Sequence, residues 1–125
     1  MKPAIKKLWV EALRSGKYKQ GKSALKVKTK KGFKYCCLGV LCELYQETHK
    51  KKLPEGENNA FDIEGAFRFD RETTFPPHKV VRWAGLSDRD PWLDFPSGKQ
   101  FTLSELNDEE GKKFFTIANL IEKNL

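Results

Sequence analysis

The chain has 125 residues, 38% of them hydrophobic and including nine Phe, three Trp and three Tyr, which excludes a disordered polymer and is enough for one real core. Its 24 Lys and Arg against 17 acidic residues give a net charge of +7, a field that draws anionic partners and disfavours an inhibitor acting by DNA mimicry. No apolar run approaches the roughly 18 residues of a membrane span, and the opening MKPAIKKLWVEALRSG lacks a signal-like apolar stretch, so a cytoplasmic protein without membrane contact is expected.

Pro3 suits a first helical turn, and Ile5, Leu8, Trp9, Ala12 and Leu13 follow at helical spacing until Ser15-Gly16. From Ser23 the period changes. Leu25, Val27 and Thr29 alternate with Lys26, Lys28 and Lys30, and Lys31-Gly32 turns into Phe33-Lys34-Tyr35, which predicts a hairpin with a lysine face. CCLGVLCELYQETHK, Cys36 to Lys50, is too long and too apolar for a surface strand and predicts a buried helix, with Gly39 yielding space to a close neighbour. Residues 50–60 look like a polar loop. The alternation from Phe61 to Asp70 predicts a half-buried strand or hairpin bent at Gly65.

Pro76-Pro77 should start a short helix through Val80, Val81, Trp83 and Ala84, closed by Gly85 with Leu86 packing back. Trp92–Phe95 and Gln100-Phe101 flank Pro96-Ser97-Gly98 as a second hairpin. Asn107 with Glu110 reads as a capping box for a last helix whose stripe is Phe114, Ile117, Ala118 and Ile121. The expectation is a single α+β domain over 1–125, with three to four helices packed on short antiparallel β-hairpins.

Cys36, Cys37 and Cys42 are an odd number crowded into one segment, which argues for reduced thiols. They point in different directions around a helix, and neither His49 nor His78 has ligand spacing to them. They read as buried structural thiols, with a Cys–His pair through His78 the open alternative. Asp62-x-Glu64, Asp70-x-Glu72 and Asp88-x-Asp90 could hold magnesium on extended chain, but solvated strand faces look the same. No phosphate-loop, dinucleotide or esterase motif occurs. We expect no catalytic residue, metal or cofactor.

The strongest polar signal is Arg14-Ser15-Gly16-Lys17-Tyr18-Lys19-Gln20-Gly21-Lys22. Cations, glycine-freed backbone N–H groups and an aromatic face are the parts of phosphate recognition; alternatively the glycines only turn the chain. Arg89 and Trp92, in a proline-fixed loop, could close such a site over a base or grip a partner, or Trp92 could plug the core.

SGKYKQGKSAL, YCCLGVLCELY, WAGL and LNDEEGKKFFTIANLIE in this order resemble a family of short bacteriophage and prophage proteins over most of the chain, residues 50–75 excepted. The resemblance implies a setting, host-directed action in the host cytoplasm, and carries over no catalytic residue. The leading expectation is a non-enzymatic anti-defence protein that sequesters a phosphate-containing nucleotide through Arg14, Lys17, Tyr18, Lys19, Gln20 and Lys22, with Arg89 or Trp92 closing the site. The alternatives are a nucleic-acid-binding module using Lys26, Lys28, Lys30 and Lys34, and a protein–protein inhibitor of a host enzyme. A thiol- or metal-dependent enzyme is the third class, and a homo-oligomer that builds its pocket between copies stays open.

Overall fold

In the computed structural model, which describes residues 1–57 and 63–125, helix α1 (Pro3–Arg14) starts on its proline and buries Trp9, Val10 and Leu13 on one face. Strands β1 (Lys26–Thr29) and β2 (Gly32–Tyr35) form the expected hairpin around Lys30 and Lys31. Helix α2 (Cys37–His49) is buried continuously from Cys37 to Cys42, the signature of a helix whose first half is enclosed on all sides. Strands β3 (Glu55–Glu57) and β4 (Ala66–Phe69) complete an antiparallel sheet of order β2-β1-β4-β3.

Helix α3 (His78–Ala84) follows Pro77 and ends at Gly85, whose φ of +71° makes the left-handed turn; the Leu86 N–H then donates back to Val81 O at 3.1 Å. Strands β5 (Trp92–Asp94) and β6 (Gln100–Thr102) pair as the second hairpin. Helices α4 (Leu103–Asp108) and α5 (Phe114–Asn124) close the chain. One apolar cluster joins Trp9 and Leu13 of α1, Leu38 and Leu41 of α2, Leu103 and Leu106 of α4, Ile117 and Ile121 of α5, and Leu25, Phe69, Val80 and Leu93. At Gly39 any Cβ would collide with the Leu25 carbonyl, so glycine is what lets α2 meet the segment entering β1.

Four expectations need correction. The strand or hairpin predicted over Phe61–Asp70 does bend at Gly65, at φ +77° against Lys28, but its strand is shorter than expected, Ala66–Phe69 among the described residues; Phe61 and Asp62 lie outside the described residues. The polar stretch 50–60 contains β3, which has no apolar alternation because its partner β4 supplies the aromatics. The capping box belongs to Thr102 and Glu105, and Asn107 lies inside the extra six-residue helix α4 while α5 starts after Lys113. The lysine face of the first hairpin does not exist as a face. Lys26 is buried, its ammonium 3.1 Å from both Glu43 and Glu55 and 4.4 Å from the Phe33 ring centroid, with Tyr35, Phe67 and Phe69 rings also within 6 Å. Lys34 pairs with Val27 and so points to the opposite side from Lys28, which pairs with Phe33.

Candidate functional site

Residues 16–21 leave α1 and run along the outer edge of β2. The Tyr35 N–H donates to Lys19 O at 2.8 Å, and the Gly21 N–H donates to Tyr35 O at 2.7 Å. Gly21 is required by closeness, since a Cβ there would stand 2.8 Å from Lys34 Cβ. Between this segment and the tip of the hairpin lies a groove of about 520 Å³, lined by Gly16, Tyr18, Lys19 and Gln20 on one side and by Thr29, Lys31, Gly32, Phe33 and Lys34 on the other. Among the described residues, three lysines and two aromatic residues line it, and no carboxylate does. Lys19, Lys31 and Lys34 are exposed, and none forms an ion pair among the described residues.

Asn107 fixes the loop wall of this groove from beneath. It is fully buried, and its Oδ1 accepts from Gln20 Nε2 at 2.9 Å and from the Cys37 N–H at 3.3 Å. Its Nδ2 donates to Gly21 O at 2.9 Å and to Asp108 Oδ1 at 2.7 Å. Gln20 Nε2 also donates to Lys112 O at 2.8 Å, and its Oε1 accepts from the Phe114 N–H at 3.1 Å. The LND block thus ties residues 20–21 to the first turn of α2 and to the start of α5, so the loop is held rather than loose.

The sequence-predicted residues divide. Tyr18, Lys19 and Gln20 line the groove, although the amide of Gln20 is fully engaged within the fold. Lys17 borders it outside the lining and pairs with Glu47 at 3.2 Å. The Tyr18 hydroxyl donates to the same Glu47 oxygen at 2.9 Å. Burial first and Glu47 second push its phenol well above the ordinary value, so Tyr18 stays neutral. Arg14 is directed to α5, where Glu122 and Asn119 accept from its guanidinium, and Lys22 is exposed outside the lining.

Arg89 and Trp92 do not line the groove: the guanidinium of Arg89 sits 4.8 Å over the Phe75 ring, and Trp92 is 58% exposed on β5 instead of plugging the core. Thr29, Lys31, Gly32 and Phe33 are groove residues that the sequence reading did not assign to the site. The Lys30-Lys31 turn beside Phe33 was the available signal, but nothing local says that it faces the Lys19 segment.

Other chemistry is less well provided. A second hollow of about 660 Å³ sets Glu57 and Glu64 against Lys28 and Lys30, so its charges offset. Cys36, Cys37 and Cys42 are all buried free thiols, and desolvation raises each of them, Cys36 to about 12. Asp70 is 3.7 Å from the Lys79 ammonium, and Asp90 accepts from the Ser104 N–H at 2.9 Å. Among the described residues no three His, Cys, Asp or Glu side chains gather as a metal site, and no helix is long and apolar enough to cross a membrane.

Comparison with curated proteins and with solved structures finds no match. The model of one family, described as a domain of unknown function, DUF8296, matches residues 1–125.

Proposed function

We propose that this chain, which belongs to the DUF8296 family, is a binding protein that captures a phosphate-containing nucleotide in the groove between residues 16–20 and the tip of the β1–β2 hairpin. The observation that carries this reading is the lining itself: among the described residues, three lysines without an ion-pair partner stand beside Tyr18 and Phe33 with no carboxylate among them. Such a lining attracts an anion without first having to displace an internal partner, and the ammonium groups supply charge-assisted hydrogen bonds to phosphate oxygens. Capture without turnover fits a lining that, among the described residues, offers cations and a neutral phenol but no thiolate and no carboxylate base.

The resemblance to phage and prophage proteins supports a role in the host cell, where sequestering a nucleotide immune signal requires affinity and no catalysis. Nucleic acid is the second reading, favoured by the further exposed lysines Lys28 and Lys30 on the same hairpin. Titration calorimetry with mono-, cyclic and dinucleotides and with short DNA and RNA, at two salt concentrations, separates the two. Nucleotide binding should change modestly with salt, whereas nucleic acid must lose affinity steeply as counterions are released. The double variant Lys19→Ala, Lys34→Ala should bind the nucleotide at least about tenfold more weakly, about 1.4 kcal/mol, with its melting temperature unchanged. Wild-type affinity in that variant would rule out the groove.

A further inference from the structure

The edge of β2 that borders the groove carries a pair of main-chain groups with a defined direction. In an antiparallel pair the residues facing one another alternate between those that exchange hydrogen bonds and those that do not. Tyr35 turns its N–H and C=O away from β1, toward Gly21 and Lys19, so Tyr35 and Lys26 are a non-bonded pair. Two residues on, Phe33 and Lys28 are non-bonded as well. The far side agrees, since the Lys28 N–H donates outward to Gly65 O at 2.8 Å. The N–H and C=O of Phe33 therefore project off the sheet into the groove, and among the described residues no loop backbone group meets them.

This open edge is one residue long. Tyr35 is already covered by residues 19–21, and Lys31 lies in the turn. Adding a peptide strand depends on several successive main-chain pairs, which one residue cannot supply. A single donor next to a single acceptor does match the edge of a nucleobase, where an amino or imino N–H stands beside a ring nitrogen or carbonyl. We infer that the groove reads the base of its ligand through paired hydrogen bonds to the N–H and C=O of Phe33, while Lys19, Lys31 and Lys34 hold the phosphate. This deepens the nucleotide reading given above and rests on it. The Phe33 ring has a separate duty, packed edge-on to Phe67 and under the Lys26 ammonium, so the recognition belongs to the backbone.

Proline separates the two. At an edge position with its N–H turned outward it removes a donor without costing a ladder bond, and Gly32 before it tolerates the added restriction. Phe33→Ala removes the ring and keeps the amide. The four nucleoside 5′-monophosphates and ribose 5-phosphate are titrated into the wild-type protein, Phe33→Ala and Phe33→Pro, with melting curves to check folding. At least one nucleotide should bind wild type and Phe33→Ala about tenfold or more tighter than ribose 5-phosphate, because a site built to hydrogen-bond a group rejects the analogue lacking it. In Phe33→Pro that preference should vanish while ribose 5-phosphate binds as before.

If the nucleotides and ribose 5-phosphate bind wild type equally, base reading falls and phosphate capture stands. If Phe33→Pro keeps the preference of Phe33→Ala, the backbone assignment falls. If neither kind of ligand binds, both readings fall. Should the proline variant fail to fold, amide exchange of Phe33 in the wild-type protein decides the matter: it should slow with the preferred nucleotide and not with ribose 5-phosphate. Protection by a tetraglutamate peptide but by no nucleotide would overturn the inference in favour of peptide docking.

Discussion

Asn107 concentrates more structural consequence than any other polar side chain of the groove region, because it is fully buried and its four contacts reach residues 20–21, α2 and its own neighbour Asp108. Replacing it with Ala leaves the Cys37 N–H, the Gly21 carbonyl and the Gln20 amide short of partners in a desolvated place. Each such loss costs about 1–3 kcal/mol, so Asn107→Ala should lower stability by about 3 kcal/mol in a urea titration and weaken ligand binding with it. The thiols give a second test at this scale. An unfolded thiol ionises near its ordinary value of 9.0, whereas burial holds the Cys36 proton to about 12. Above pH 9 the unfolded state therefore binds fewer protons than the native one, and stability must fall as pH rises from 9 toward 12. Below pH 9 this contribution is fully present. At neutral pH a thiol reagent should leave all three cysteines unmodified in the native protein and react with all three in denaturant; a rapid native reaction would mean that α2 is not enclosed.

Among the elements, β1 makes the most exacting demand, since it places Lys26 inside. Its ammonium is held by Glu43 of α2 and Glu55 of β3, and Gln46 donates to both of those carboxylates, at 3.3 and 3.0 Å. Removing the cation leaves the half-buried carboxylates of Glu43 and Glu55 without their shared partner, and breaking such a pair by taking away one member costs up to about 3–5 kcal/mol where the site is buried. Lys26→Ala should therefore melt far below Lys28→Ala, whose side chain is exposed; equal melting temperatures would place Lys26 in solvent.

The same strand shows why parts of the fold were legible and others were not. Helices α1, α2, α3 and α5 declare themselves through prolines at a start, a glycine at an end and apolar spacing within a dozen residues, and both hairpins through alternation around a turn. Lys26 alternates like its exposed neighbours because strand periodicity assigns a face, and which face is covered depends on α2 and β3. Strand β3 escapes notice because Glu55-Gly56-Glu57 has no apolar period of its own and pairs with β4. Helix α4 is shorter than two turns, so its Thr102 cap competes with the Asn107–Glu110 pattern downstream, and only packing against α2 and α5 decides between them.

At the scale of the whole molecule the +7 charge becomes specific only where the fold keeps lysines apart from carboxylates. The sequence pointed to residues 14–22, and the structure keeps Tyr18, Lys19 and Gln20 in the groove while turning Arg14 to Glu122 and Lys17 to Glu47. The other wall comes from a hairpin tip about ten residues away, and a juxtaposition across β2 is set by long-range packing that no local pattern encodes. The most direct test of the central claim is an amide chemical-shift map of the isotopically labelled protein titrated with the nucleotide panel. Perturbations confined to residues 16–20 and 29–34 are the predicted result. Shifts centred on Arg89 and Trp92, or no shift with any nucleotide, would contradict it.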